Sequence, residues 1–145
     1  MPIRENIKYV NQLKARAAEK SGRTGEDVLL VAVTKLHDVD EINEAIECGI
    51  TDIGENKVQE LVYKSENFHD DVRWHLIGHL QTNKVKYLVD KVYLIHSLDS
   101  ISLLNQVEKV FKKAGKTANT LIQINIGRED SKSGVYEEDL EEFIQ

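Results

Sequence analysis

A lysine that closes an apolar run carries the most chemical promise in this chain. The run is Leu29-Leu30-Val31-Ala32-Val33-Thr34-Lys35, and it lacks the alternation of a strand with one wet face. It reads as a strand covered on both sides, the kind found in parallel sheets wrapped by helices. Such folds place their chemistry at the carboxyl ends of the strands. Lys35 is therefore placed to meet an aldehyde, the alternative being that it only marks the strand's exit into solvent. To attack a carbonyl carbon the amine must be neutral. A free lysine, with a pKa near 10.4, leaves roughly one molecule in 2,500 neutral at pH 7, and closing that gap takes about 4–5 kcal/mol. Desolvation at the end of an apolar strand acts in that direction, so the expectation is a buried amine.

Other polar residues follow the remaining apolar runs in order: Gly54-Glu55-Asn56, Gly78-His79-Leu80-Gln81, His96-Ser97 and Asn125. If the strands are parallel, all of these finish on one rim. Gly54 and Gly78 would let a flat ligand or a backbone come close, or they serve turns alone. His75 and His79 are four apart, but Leu76-Ile77-Gly78 between them is strand-like and lacks the glutamate of a helical zinc motif. Cys48 is the single cysteine, which excludes an internal disulfide and a multi-cysteine metal site. It falls near a helix end and reads as an inert, half-buried thiol. Neither G-x-G-x-x-G nor a P-loop occurs, although a helix amino terminus could still hold an anion. Tyr9, Tyr63, Tyr87, Tyr93 and Tyr136 lie in or beside apolar patterns and read as packing residues.

The elements that must position the rim alternate between helix and strand. Ile3, Ile7, Val10 and Leu13 recur at helical spacing and predict an opening helix to about Lys20. Strand one ends at Lys35. Asp38 with Glu41 forms a capping box for a helix that ends at Gly49. A strand is expected from Ile50 to Ile53, then a helix with Val58, Leu61 and Val62. Val72–Ile77 is the third strand, Gln81–Val89 a helix and Val92–Ile95 the fourth strand. Asp99 caps a helix bearing Leu103, Leu104, Val107, Val110 and Phe111 on one face. Thr120–Ile126 is the fifth strand, and a last helix starts at Tyr136. This alternation predicts parallel βα units in a single domain spanning residues 1–145. Five strands do not make an eight-stranded barrel, so the pattern fits either an open α/β sheet or the front of a longer barrel.

Composition narrows the function classes. Of 145 residues, 30% are charged and the net charge is −6, with only scattered lysines where a nucleic-acid binder needs a basic face. Nucleic acid is therefore not the expected partner unless a local basic patch survives the acidic total. Apolar runs fall short of the ~20 residues of a membrane span. The start, Met1-Pro2-Ile3-Arg4-Glu5, has no signal-peptide core, so the expected place is cytoplasmic. The acidic stretch Glu137 to Glu142 reads as the solvated face of a helix whose stripe is Leu140, Phe143 and Ile144.

Five stretches in order resemble the pyridoxal 5′-phosphate (PLP) homeostasis protein family, relatives of the alanine racemase barrel. They are LLVAVTK (29–35), DIGENKVQE (52–60), WHLIGHLQTNKVK (74–86), IHSLDS (95–100) and QINIGREDSKSG (123–134). The resemblance implies a TIM (β/α)8-type barrel of alanine racemase type, here incomplete at about five strands. It implies PLP as cofactor, held as a Schiff base on Lys35, with Asn56 beside the ring and Lys132 as a secondary lysine in cofactor handling. It further implies a role in vitamin B6 and amino-acid homeostasis without established catalysis, with PLP-dependent apoenzymes as partners. The family continues into strands that supply the phosphate-binding region, which this sequence does not contain. The alternative is a partial barrel that binds no PLP and only self-associates through open sheet edges.

Overall fold

The computed structural model describes residues 2–69 and 71–145. Helix α1 (Ile3–Glu19) precedes strand β1 (Val31–Val33), helix α2 (Val39–Glu47), β2 (Asp52–Glu55) and α3 (Val58–Ser65). Then come β3 (Arg73–Leu76), a 3-10 segment (Thr82–Tyr87), β4 (Val92–Leu98), α4 (Ile101–Lys113), β5 (Thr120–Ile122), a second 3-10 turn (Glu137–Asp139) and α5 (Leu140–Ile144). The five strands form one parallel sheet in the order β1-β2-β3-β4-β5, as the alternation predicted. Consecutive parallel neighbours joined by helical crossovers are the repeating unit of a (β/α) barrel.

Local chemistry explains the boundaries. Asp38 accepts the Glu41 N–H at 2.9 Å and the Glu41 carboxylate accepts the Asp38 N–H at 3.2 Å, completing the expected capping box of α2. That helix ends where Gly49 turns left-handed at φ 94°. Its N–H reaches Ile46 O and the Ile50 N–H reaches Ala45 O, a Schellman closure. Ile50 is spent in that closure, so β2 begins at Asp52 rather than at the expected Ile50.

Other expectations need correction. Residues 82–87 form a 3-10 segment, not an α-helix. Val85 and Leu88, three apart, are the buried pair, and this spacing suits three residues per turn. Strand β4 runs on to Leu98, which moves the cap of α4 from Asp99 to Ser100; the Ser100 hydroxyl accepts the Leu103 N–H at 3.2 Å. Strand β5 stops at Ile122, with a single parallel bridge between Ile124 and Val135 beyond it. After Tyr136 the chain forms a 3-10 turn before α5, and Ile144 is exposed rather than part of a buried stripe.

The core lies between the sheet and the helices. Ile53, Trp74, Leu76 and Ile95 of the strands pack with Ile42, Leu61, Leu103, Val107 and Phe111 of α2, α3 and α4. Each fully buried aliphatic side chain contributes about 1.5–3 kcal/mol. The opposite face carries Val31, Val33, Asp52, Gly54, Arg73 and His75 by the period of two. Its outer strands are open, with Val33 49% and Leu121 47% exposed, whereas Asp52 and His75 between them are buried. Strand β1 is therefore not covered on both sides as its apolar run suggested. No helix among the described residues is long and apolar enough to cross a membrane.

Candidate functional site

Because the strands are parallel and sequentially ordered, their carboxyl ends share one rim. Thr34 leaves β1 with its N–H still in the ladder, donated to Gly54 O at 3.0 Å. The next residues form a tight turn closed by the His37 N–H on Thr34 O at 3.1 Å. Lys35 is the second residue of this turn. It is exposed, correcting the expectation of a buried amine, and its side chain makes no hydrogen bond or ion pair with any described residue. Leu36, the third residue, has φ 67° and is 91% exposed. A left-handed leucine costs about 1–2 kcal/mol, so the surroundings must impose the turn.

Beneath the turn sits a buried charged cluster that sequence reasoning missed. Lys64 of α3 donates to Thr34 O and to Glu55 Oε1, each at 2.7 Å, and to Glu60 Oε2 at 3.4 Å. The Thr34 hydroxyl donates to the same Glu55 oxygen at 2.5 Å. The Lys64 and Glu55 side chains are 7% and 0% exposed. Among the described residues, the second Glu55 oxygen is buried without a partner, as is the Ser97 hydroxyl. The available signal was a lysine three residues beyond Leu61, on the apolar face of α3.

Asn56 stands at the end of β2, exposed, against Gly78 beyond β3. A Cβ on Gly78 would lie 2.2 Å from the Asn56 carbonyl oxygen and 2.5 Å from its side-chain oxygen, so only glycine permits this approach. Lys132 lies apart from these residues in sequence, exposed in the loop after β5. Asn125 organises that loop, its amide donating to Glu129 O at 3.0 Å and Lys132 O at 3.4 Å. Thr34, Lys35 and Asn56 thus gather on neighbouring strand ends, whereas Lys132 enters from a separate loop.

The open face carries a second missed feature, a line of polar contacts. Arg73 donates to both Asp52 oxygens, at 2.9 and 2.6 Å. His75 Nε2 lies 2.7 Å from Asp52 Oδ1, and His75 Nδ1 lies 2.9 Å from His96 Nε2. With neutral rings, His75 donates to Asp52 and accepts from His96. Tyr93 packs beside His75 and under the Arg73 guanidinium, 5.5 and 5.3 Å between centres. Burial works against the charged form of Asp52, but hydrogen bonds from Arg73, His75 and Thr51 outweigh it and hold its carboxyl below the usual range. His96 is held below the ordinary histidine range by burial and then by neighbouring His75. Asp52 and Arg73 at the strand starts were the readable hint, being charges in otherwise apolar runs. Four tyrosines expected to pack, Tyr9, Tyr63, Tyr87 and Tyr93, are instead exposed by 44% or more.

The rim offers an exposed amine at Lys35 with no hydrogen bond or ion pair to any described residue, and an exposed amide at Asn56 that fills the space beside Gly78. Gly54 is buried, and a Cβ there would press on the Val31 and Ile77 side chains at 3.2 and 3.3 Å. Among the described residues no group of three or more His, Cys, Asp or Glu could hold a metal.

Comparison with known proteins agrees with this architecture. The family described as alanine racemase, N-terminal domain, matches residues 9–145. The pyridoxal phosphate homeostasis protein of Aquifex aeolicus is 40% identical over 142 residues, covering 97% of this chain and 62% of the relative. That of Escherichia coli K12 is 35% identical over 145 residues, with the same coverage of 97% and 62%. The crystal structure of a protein from Bifidobacterium adolescentis superposes with a TM-score of 0.89 at 32% identity, over 96% of this chain and 61% of its own. PipY of Synechococcus elongatus with PLP bound superposes at 0.73 with 30% identity, over 91% and 64%. The chain spans about three-fifths of the length of these relatives. This chain belongs to the alanine racemase N-terminal domain family.

Proposed function

We propose that this chain binds PLP through Lys35, as a Schiff base, and serves vitamin B6 and amino-acid homeostasis in the cytoplasm without a catalytic reaction of its own. The observation that carries the reading is the exposed Lys35 side chain, free of partners among the described residues, on a turn held from below at the end of the first strand. A relative of the same fold, PipY, has been solved with PLP bound, which supports the cofactor's identity. When bound, the cofactor supplies an aldehyde that condenses with an amine and releases water. Asn56 would lie beside the ring, and Lys132, from its separate loop, would receive or hand on the cofactor. PLP-dependent apoenzymes are the fitting recipients.

The test is direct. Added PLP should produce a visible absorbance band, and borohydride should fix a PLP-sized mass on the peptide that contains Lys35. Lys35→Ala should lose both. A band that survives in Lys35→Ala, or no uptake by the unaltered chain, rejects the proposal. A second reading is a partial barrel that associates without cofactor, favoured by the exposed Val33, Tyr93 and Leu121. It predicts oligomers by light scattering together with an empty Lys35 peptide.

A further inference from the structure

The ion pair between Lys64 and Glu55 does more than close the core. An apolar pair of similar volume often replaces a buried salt bridge without loss of stability. An apolar side chain cannot hold a carbonyl. Lys64 has three N–H donors and three acceptors, Thr34 O, Glu55 Oε1 and Glu60 Oε2, so its hydrogen-bonding capacity is filled. Thr34 is held in turn at its amide by Gly54 O, at its hydroxyl by Glu55 and at its carbonyl by Lys64. That carbonyl belongs to the peptide unit leading into Lys35, and it also accepts the His37 N–H that closes the turn. Leu36, left-handed and 91% exposed, gains nothing from its own side chain in this conformation. The constraint on the turn comes from its first residue.

We propose that Lys64 and Glu55 are positioning residues for Lys35: their buried pair clamps the Thr34 carbonyl and so fixes the left-handed turn that presents the Lys35 amine. The inference rests on the proposed attachment at Lys35 only for the second of its two readouts. The clamp also ties the amine to helix α3, so that a shift of this helix would move Lys35.

The first readout is amide hydrogen exchange by NMR on the chain without cofactor. Lys64→Met, similar in volume, should speed exchange of the His37 amide about tenfold while the core amides of Leu76 and Ile95 stay protected. The second is the rate at which PLP is fixed on Lys35 by borohydride, which should fall about tenfold as the amine loses its fixed orientation. Leu36→Gly placed in the Lys64→Met background should recover most of that rate, because glycine adopts the left-handed turn without the clamp. A role confined to packing would show no such rescue. Glu55→Met, which removes the acceptor shared by Lys64 and the Thr34 hydroxyl, carries the same test if Lys64→Met fails to fold. Unchanged His37 exchange, or no rescue by glycine, overturns the clamp. An unaltered chain that takes up no PLP rejects the proposed function instead, and the His37 measurement still decides the clamp.

Discussion

Asp52 is the side chain on which the open face depends most. It is fully buried, yet it accepts from Arg73 and Thr51 and lies 2.7 Å from His75 Nε2. Asp52→Asn keeps the size but removes the charge, leaving Arg73 unpaired and one His75 contact mismatched. We expect a loss of about 3 kcal/mol, read from urea unfolding. The linked titrations have a definite sign. His96 has a depressed pKa when folded, so the unfolded chain binds its proton more readily. The stability it lends is present above about pH 6.5 and is lost as pH falls through the lowered folded value. Asp52 is also depressed, so its contribution is present above about pH 4 and lost as pH falls below that. The urea midpoint should decline in two stages on acidification, and His96→Gln should remove the first. A flat profile between pH 7 and pH 5 would contradict this account.

Among the elements, α2 and α4 are the ones whose amino-terminal caps decide where the rim loops end. Ser100 caps α4 through the Leu103 N–H, and Asp38 caps α2 through the Glu41 N–H. Ser100→Ala and Asp38→Ala should each cost about 1 kcal/mol in thermal unfolding. Asp38→Ala has the further effect of loosening the chain just beyond the Lys35 turn. The approach of the β2 and β3 ends is stricter. Gly78→Ala would drive a Cβ to 2.2 Å from the Asn56 carbonyl, a backbone oxygen that cannot swing aside. A loss of roughly 2 kcal/mol or more is expected, with Asn56 displaced. Chemical-shift changes confined to residues 54–58 and 76–80 would identify the displacement, whereas an unchanged spectrum would show that the strand ends yield freely.

At the scale of the molecule, the sheet has helices on one face, and on the other its outer strands carry exposed side chains. Val33, Tyr93 and Leu121 are each 44% or more exposed on or beside that open face, and β1 and β5 present unpaired edges among the described strands. Such edges pair readily with other chains. Sedimentation velocity should show mass rising with concentration, and Leu121→Lys should shift the distribution toward monomer. A single monomeric species at all concentrations would mean that the open face tolerates water unaided.

The sequence by itself determined the order and type of most elements, the capping box at Asp38 and the family to which the chain belongs. These features live in short-range periodicity, turn chemistry and contiguous motifs. Its errors, the 3-10 segment at 82–87 and the cap at Ser100, lie where neighbouring residues offered two local solutions and the packing of Val85, Leu88 and Leu98 chose between them. Tertiary structure alone decided that Lys35 is exposed while Lys64 is buried, and that Asp52, His75 and His96 form one line. Thr34 meets Glu55 across 21 residues and Lys64 across 30. Contacts of that range follow from strand register and helix docking, which no local spacing encodes.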